Sequence, residues 1–496
     1  MPASADTGSI LGLERRDWAL LVVLLVASRL LYAALGLTFD ASTFPFFMQF
    51  IDPELLSSRL LESLWYYHAN PPLLNLLAGV GIQAFGTQAP VFWSVVFHAL
   101  GALTALSVYV LALRLSGSRI AAAVATGLLV FSPSFVLYEN WFMYSFPAVA
   151  LLSLSALLLY AYARTSRTGW CVAFFASLAV LLLTRSLFHL AWMVLVVGLL
   201  AAASPGRRRQ VLVAALVPVL VVAGWYGKNL HYFGKFGAST WMGLGLSNIT
   251  TLVATREELQ PLVASGELSQ FALVSRYTDK DALFALPHPP TGIAVLDQVR
   301  KGDGTYNFNN IRIVSLDHYY TADALAVARR FPGHYLHGWA LSNRLYFSPS
   351  SMNLYFTRAN RVAAWPMERL LNPVLYGTGA VPSRTLQPHF GYATPGELEV
   401  NTSLPLLLAW FGLLGYGALQ ARRGLASGDA ADRPRALVFG YIVLAALYLY
   451  VVGTGFELAE NYRYRYNVEP LMFVVAATAI VDAVRRWRGR ARAAGA

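Results

Sequence analysis

The feature that most restricts this chain is a succession of apolar windows, about 18 to 22 residues long and nearly free of charge. Each is the length of helix that crosses a bilayer core of about 30 Å. The stretches near residues 18–38, 91–113, 120–138, 145–163, 169–185, 187–203, 211–226, 404–420, 436–453 and 469–484 read as ten spans. Backbone polar groups cannot go unpaired in hydrocarbon, and the alternating segments of a barrel are absent, so an all-α polytopic bundle is expected. With 56% hydrophobic and only 13% charged residues, a soluble fold would leave far too much apolar surface in water.

Arginine placement sets the expected orientation. Arg15 and Arg16, Arg114 and Arg119, Arg164 and Arg167, Arg207 to Arg209, Arg422, Arg423, Arg433 and Arg435, and the tail from Arg485 to Arg492 all fall on one side, which the positive-inside rule makes cytoplasmic. These segments carry the whole net charge of +12. The basic surplus is therefore a topology signal, and nucleic acid has no part in it. The first span, flanked by tryptophan, arginine and tyrosine, reads as a retained anchor rather than a cleaved signal. The single cysteine, Cys171, cannot form an internal disulfide.

Three units follow. Residues 1–226 form an N-terminal transmembrane module whose first outer loop is 39–90, residues 227–403 an extracytoplasmic domain packed over the bundle, and residues 404–496 the C-terminal spans with a basic tail. The cytoplasmic connections are short and lack a Walker-type glycine loop, which argues against an ATP-driven pump. The two halves show no internal repeat, which weakens a secondary-transporter reading.

The conspicuous polar residues lie on the outer side. Asp40 follows the first span directly, where a carboxylate faces a lipid-borne substrate; a solvated loop acid is the plain alternative. Asp52 and Glu54, in "IDPELL", suit a helix N-cap. In "YYHANPPLLNLLAG", His68 precedes tandem prolines that open a helix over Pro71–Phe85, about 22 Å long and short for a crossing, so it reads as re-entrant or interfacial. Glu139 occupies the tight outer turn "YENW". Arg463 and Arg465, in "NYRYRYNVEP", stand before the last span on the side where arginines are unexpected. A guanidinium fork binds phosphate there, or pairs with Glu457, Glu460 or Glu469. Arg185 interrupts an apolar run at an outer turn beside His189, and Arg29 sits midway along the first span as a bundle-facing charge with no assigned role.

In order and membrane placement these residues resemble the GT-C superfamily of membrane glycosyltransferases, on the branch of the protein O-mannosyltransferases and the lipid A aminoarabinose transferase. The resemblance rests on Asp40, "HANPPLLNLLAGVGIQAFG", "LALRLSGSRIAAAVATGLLVFSPSFVLYE", "WYGKNLHYFGKFGASTWMGL" and "RYRYNVEPLMFVVAA", and covers roughly residues 15–250 and 404–485. It implies a GT-C-like bundle that transfers a sugar from a polyprenyl-phosphate donor to a glycan, lipid or protein acceptor on the outer face, with inversion. It also implies Asp40 as general base or metal-linked carboxylate and Glu139 as the second loop acid, where many relatives have Asp. Lys228, Arg463 and Arg465 would hold the carrier phosphate, with His68 standing where some relatives have Lys; Arg185 joins them as a further cation of the outer face. A divalent ion, Mg²⁺ or Mn²⁺, would neutralise phosphate if one is used.

Two rivals remain. An O-antigen ligase or polymerase also has many spans, a long outer loop and arginines, but does not depend on an Asp40. A transporter of lipid-linked sugar makes no product and places its acids near mid-membrane. The Ala/Arg-rich composition points to a bacterial inner membrane with the site facing the periplasm.

Overall fold

The computed structural model describes residues 12–274, 280–378, 384–386 and 398–494. Every expected span is helical, the one near 120–138 as two helices, but they are not alike. By length and apolarity six helical units suffice to cross a membrane: Arg15–Ala34, Leu73–Ser116, Ser145–Thr165, Pro205–Phe233, Leu404–Ala426 and Arg433–Gly455. Arg119–Phe131 and Pro133–Glu139 make a seventh if the pair, bent by 57°, counts as one. Ser132 causes the bend: it leaves helical geometry and caps the second piece by accepting from Phe135 N–H, with Pro133 at the first turn. Thr168–Thr184 and Leu190–Ala202 are shorter apolar helices, because Arg185 and the turn behind it interrupt the run. The last helix, Glu469–Ala494, carries Asp482, Arg485 and Arg486 within its length.

The arginine-rich connections gather at one end. Arg119 pairs with Glu14 and Asp17 at the start of the first helix, Arg435 with Asp482 midway along the last, and Arg433 donates to Ser204. At the opposite end the first outer loop, the 139–144 turn and the segment after Phe233 meet.

The tandem prolines open a helix at Leu73–Phe85, two residues later than expected. A 3₁₀ turn at Gly86–Gln88 joins it to Ala89–Ser116, against which it folds back. Gly81 permits the approach, since a Cβ there would lie 2.1 Å from Trp93 Nε1. Between Phe233 and Leu404 the described residues are largely helical. Met242–Ile249 packs on Ile311–Arg330, where buried Asp317 accepts from Gly243 and Leu244 N–H at the helix start and pairs with Lys235 at 3.1 Å. Burial pushes the Asp317 carboxyl above its ordinary value, against the pull of Lys235. Asp52 is the expected cap: it accepts from Glu54 N–H, and its other oxygen from Gln298 and Gly302 of the long segment. Lys301 beside them donates to the Pro45 and Phe47 carbonyls, so one turn clamps the first outer loop.

Candidate active site

Asp40 sits on an isolated parallel bridge with Trp141. Its N–H donates to the Asn140 carbonyl at 2.7 Å, and its carbonyl accepts from Phe142 N–H at 2.9 Å. The chain leaves the first helix through Gly36 and Leu37 and must pair with this outer turn because its peptide groups are leaving both helix and lipid. Asp40 is 9% exposed; Oδ1 accepts from Ser42 N–H at 2.9 Å, whereas Oδ2 is buried without a partner. A carboxylate oxygen in that state is unusual, because its desolvation goes uncompensated.

Trp141 links Asp40 to Arg463. The Arg463 guanidinium lies over the indole, 6.0 Å from its centroid, and over the Tyr144 ring at 5.2 Å. Its Nη2 donates to Tyr144 OH at 3.0 Å and pairs with Glu460, while Nε and Nη1 are buried with no hydrogen-bond partner. Burial works against charge on Arg463, but Glu460, with Tyr144 and Tyr464, more than offsets it and holds the group above its ordinary range.

Arg185 faces the same tyrosine, 5.0 Å from the Tyr144 centroid and 5.3 Å from that of Tyr464. Nη1 donates to Asn467 Oδ1 at 2.7 Å; Nη2 is buried without a partner. The next residue, Ser186, donates to Asn70 Oδ1 and joins this turn to the entry of the Leu73 helix. Two buried guanidinium groups with unused N–H donors thus converge on one aromatic ring, and Trp141 ties one of them to the bridge that holds Asp40.

The other expected residues are placed differently. Arg465 directs its fork inward: Nε to the Tyr346 carbonyl, Nη2 to the Ser348 carbonyl and Ser350 Oγ, and Nη1 to Glu469 at 3.1 Å. It holds 346–350 of the long segment to the last helix. The Lys228 ammonium donates to the Tyr67 carbonyl at 2.7 Å and lies 3.7 Å from the Trp225 ring centroid. His68 is fully buried, with Nε2 at 2.9 Å from the Asn309 carbonyl and Nδ1 at 2.8 Å from Thr240 Oγ1. The carbonyl can only accept, so Nε2 carries the proton and Nδ1 accepts from Thr240. Burial, helped by the Lys228 charge, lowers the imidazole to about 3, and it is neutral at physiological pH. The peptide groups of His68 and Ala69 are taken by Asn309, Thr240 and Ser239, so this entry is knitted to the outer segment.

Glu139 is fully buried, and one of its oxygens pairs with Arg29 of the first helix. Gly101 makes the space: a Cβ there would lie 1.7 Å from Glu139 Oε1. Among the described residues no group of three or more His, Cys, Asp or Glu comes together. Glu139 gives one oxygen to Arg29 and, like Asp40, keeps the other buried without a partner; two carboxylates are part of a Mg²⁺ or Mn²⁺ shell, which waters and a substrate phosphate would have to complete. Sequence reasoning missed Tyr144, Trp141 and Asn467 as parts of the site, and offered Glu460 only as one of three acids that could pair with the arginines. Arg185 and Arg463 were visible as misplaced charges, but nothing in the sequence showed that one tyrosine joins them.

No family model matches this chain, and no curated protein matches it. Among solved structures it is similar to the ArnT of Cupriavidus metallidurans bound to undecaprenyl phosphate, at 14% identity over 94% of this chain and 78% of that one, with a TM-score of 0.36. It is also similar to the oligosaccharyltransferase of Archaeoglobus fulgidus tethered to an acceptor peptide, at 13% identity over 96% of this chain and 51% of that one, with a TM-score of 0.40.

Proposed function

We propose that this chain is an inverting GT-C-type glycosyltransferase of the bacterial inner membrane that moves a sugar from a polyprenyl-phosphate donor to an acceptor on the periplasmic face. The observation that carries the proposal is that Trp141 bridges Asp40, whose Oδ2 is unpartnered, while Arg463 lies over its indole and shares Tyr144 with Arg185, both arginines keeping unpartnered donors.

The chemistry needs both halves. The anomeric carbon carries a phosphate leaving group, so a base must take the acceptor hydroxyl proton while cations receive the charge left on phosphate. Asp40 is the base. Arg463 and Arg185 donate N–H groups to the departing phosphate; guanidinium suits this because its planar fork stays charged when buried. Attack from the face opposite the phosphate inverts the anomeric centre. Lys228, bonded to the Tyr67 carbonyl, and His68, neutral and saturated, fix the loop that carries Asn70. Arg465 and Glu139 are positioning residues: one anchors the long segment, the other the turn that pairs with Asp40.

The test is product formation by purified protein in proteoliposomes supplied with polyprenyl-phosphate sugars, beside mass spectrometry of lipids and surface glycans from a strain lacking the protein. Sugar transferred and free polyprenyl phosphate released in equal amounts supports the proposal. Movement of intact lipid-linked sugar without its consumption would instead identify a transporter, and turnover indifferent to Asp40→Asn an arginine-centred ligase.

A further inference from the structure

We propose that the Arg358–Tyr376 helix lies in the membrane surface as an interfacial helix, its outer face in the boundary between headgroups and acyl chains, and that this contact sets the depth of Asp40. This goes beyond the reaction proposed above and does not depend on it.

The two ends of the helix fix its direction. Near its start Asn360 makes a paired contact with Thr38, accepting from its N–H at 3.1 Å and donating to its carbonyl at 2.8 Å. Thr38 lies just past the Arg15–Ala34 span and two residues before Asp40. At the far end the Tyr376 carbonyl accepts from Ser403 Oγ, and Ser403 caps the Leu404–Ala426 span. Both spans have their arginine-rich ends at the other side of the bundle, so the 19-residue helix, about 28 Å long, runs between two span ends on one membrane face.

Its faces differ in kind. Asn360, Ala363, Ala364, Asn372 and Tyr376 point into the protein. The outward stripe recurs at helical spacing and carries Val362, Trp365, Leu370 and Val374, which are 65%, 46%, 64% and 69% exposed. A stripe facing water would be polar. The charges on it are Arg358 and Arg369, the second lying 4.7 Å from the Trp365 ring centroid, an arrangement suited to lipid phosphate at the headgroup level. Pro366 and Pro373 cannot donate to the carbonyls one turn back. Carbonyls freed in that way are tolerated where water reaches them and costly in hydrocarbon, which places the helix at the interface and not deeper. The apolar stripe also continues the outward surface of the two spans it joins, where Leu30 and Leu404 are 65% and 63% exposed.

The test uses nitroxide labels on single cysteines in the full chain in nanodiscs, since the native Cys171 is buried and leaves the unsubstituted protein as a blank. Leu370→Cys and Val374→Cys are compared with Leu408→Cys on a span and Glu267→Cys on the outer segment. The readout is the ratio of collisions with oxygen to collisions with a water-soluble nickel chelate. A ratio severalfold above that of Glu267→Cys and approaching that of Leu408→Cys is expected. A ratio equal to that of Glu267→Cys would overturn the proposal by placing the helix in water. Low collision with both reagents would also overturn it, by showing that protein, such as a second copy, covers this face.

Discussion

Tyr144 presents one ring to two guanidinium groups, and what the arginines have left over defines the site. Arg463 keeps Nε and Nη1 unused and Arg185 keeps Nη2. Each hydrogen bond from a charged donor to phosphate contributes about 1.5–3 kcal/mol, so Arg463→Gln or Arg185→Gln should weaken polyprenyl-phosphate binding by about tenfold to a hundredfold. Tyr144→Phe keeps the ring, loses one hydroxyl contact to Arg463 and should cost less than tenfold. Titration of the purified protein with polyprenyl phosphate measures all three. His68 gives a prediction of another kind. Its folded value of about 3 lies below the ordinary 6.5, so between these limits the unfolded chain binds the extra proton and stability falls as pH drops. From pH 6.5 to 5 that amounts to about 2 kcal/mol. Thermal unfolding at the two pH values should show the loss in the wild type and a flatter dependence in His68→Gln.

At the level of elements, the bent pair Arg119–Phe131 and Pro133–Glu139 is held to the first helix by Arg29 and Glu139 across the slot left by Gly101. Removing one member of a buried ion pair strands the other, at about 3–5 kcal/mol, whereas replacing both by apolar or neutral groups of similar size is close to neutral. Glu139→Gln should therefore lower the unfolding temperature sharply, and Arg29→Met combined with Glu139→Gln should recover most of it. Turnover in the stable double variant is the discriminating readout. It should stay near wild type if Glu139 only holds the turn, and should vanish if this carboxylate reacts.

Across the whole molecule, the bundle was legible because bilayer thickness fixes the length of an apolar helix, and the end that carries the site because arginines mark the other. The chemistry at that end was less so. Asp40 was visible as an acid directly after the first span, and Asp52 as a cap, since both depend on neighbours in sequence. Arg463 and Arg465 looked equivalent, and only the fold separates the arginine with free donors from the one saturated by Tyr346, Ser348, Ser350 and Glu469. Arg29 and Glu139 lie 110 residues apart, and no local pattern pairs them. The central claim is that Asp40 and Arg463 serve the same donor in separate roles, and binding and single-turnover transfer measured side by side test it. Asp40→Asn keeps the acceptor for Ser42 N–H and should bind polyprenyl phosphate as the wild type does, while transfer falls by about a hundredfold to ten-thousandfold. Transfer by Asp40→Asn at the wild-type rate, with binding unchanged, would contradict the account.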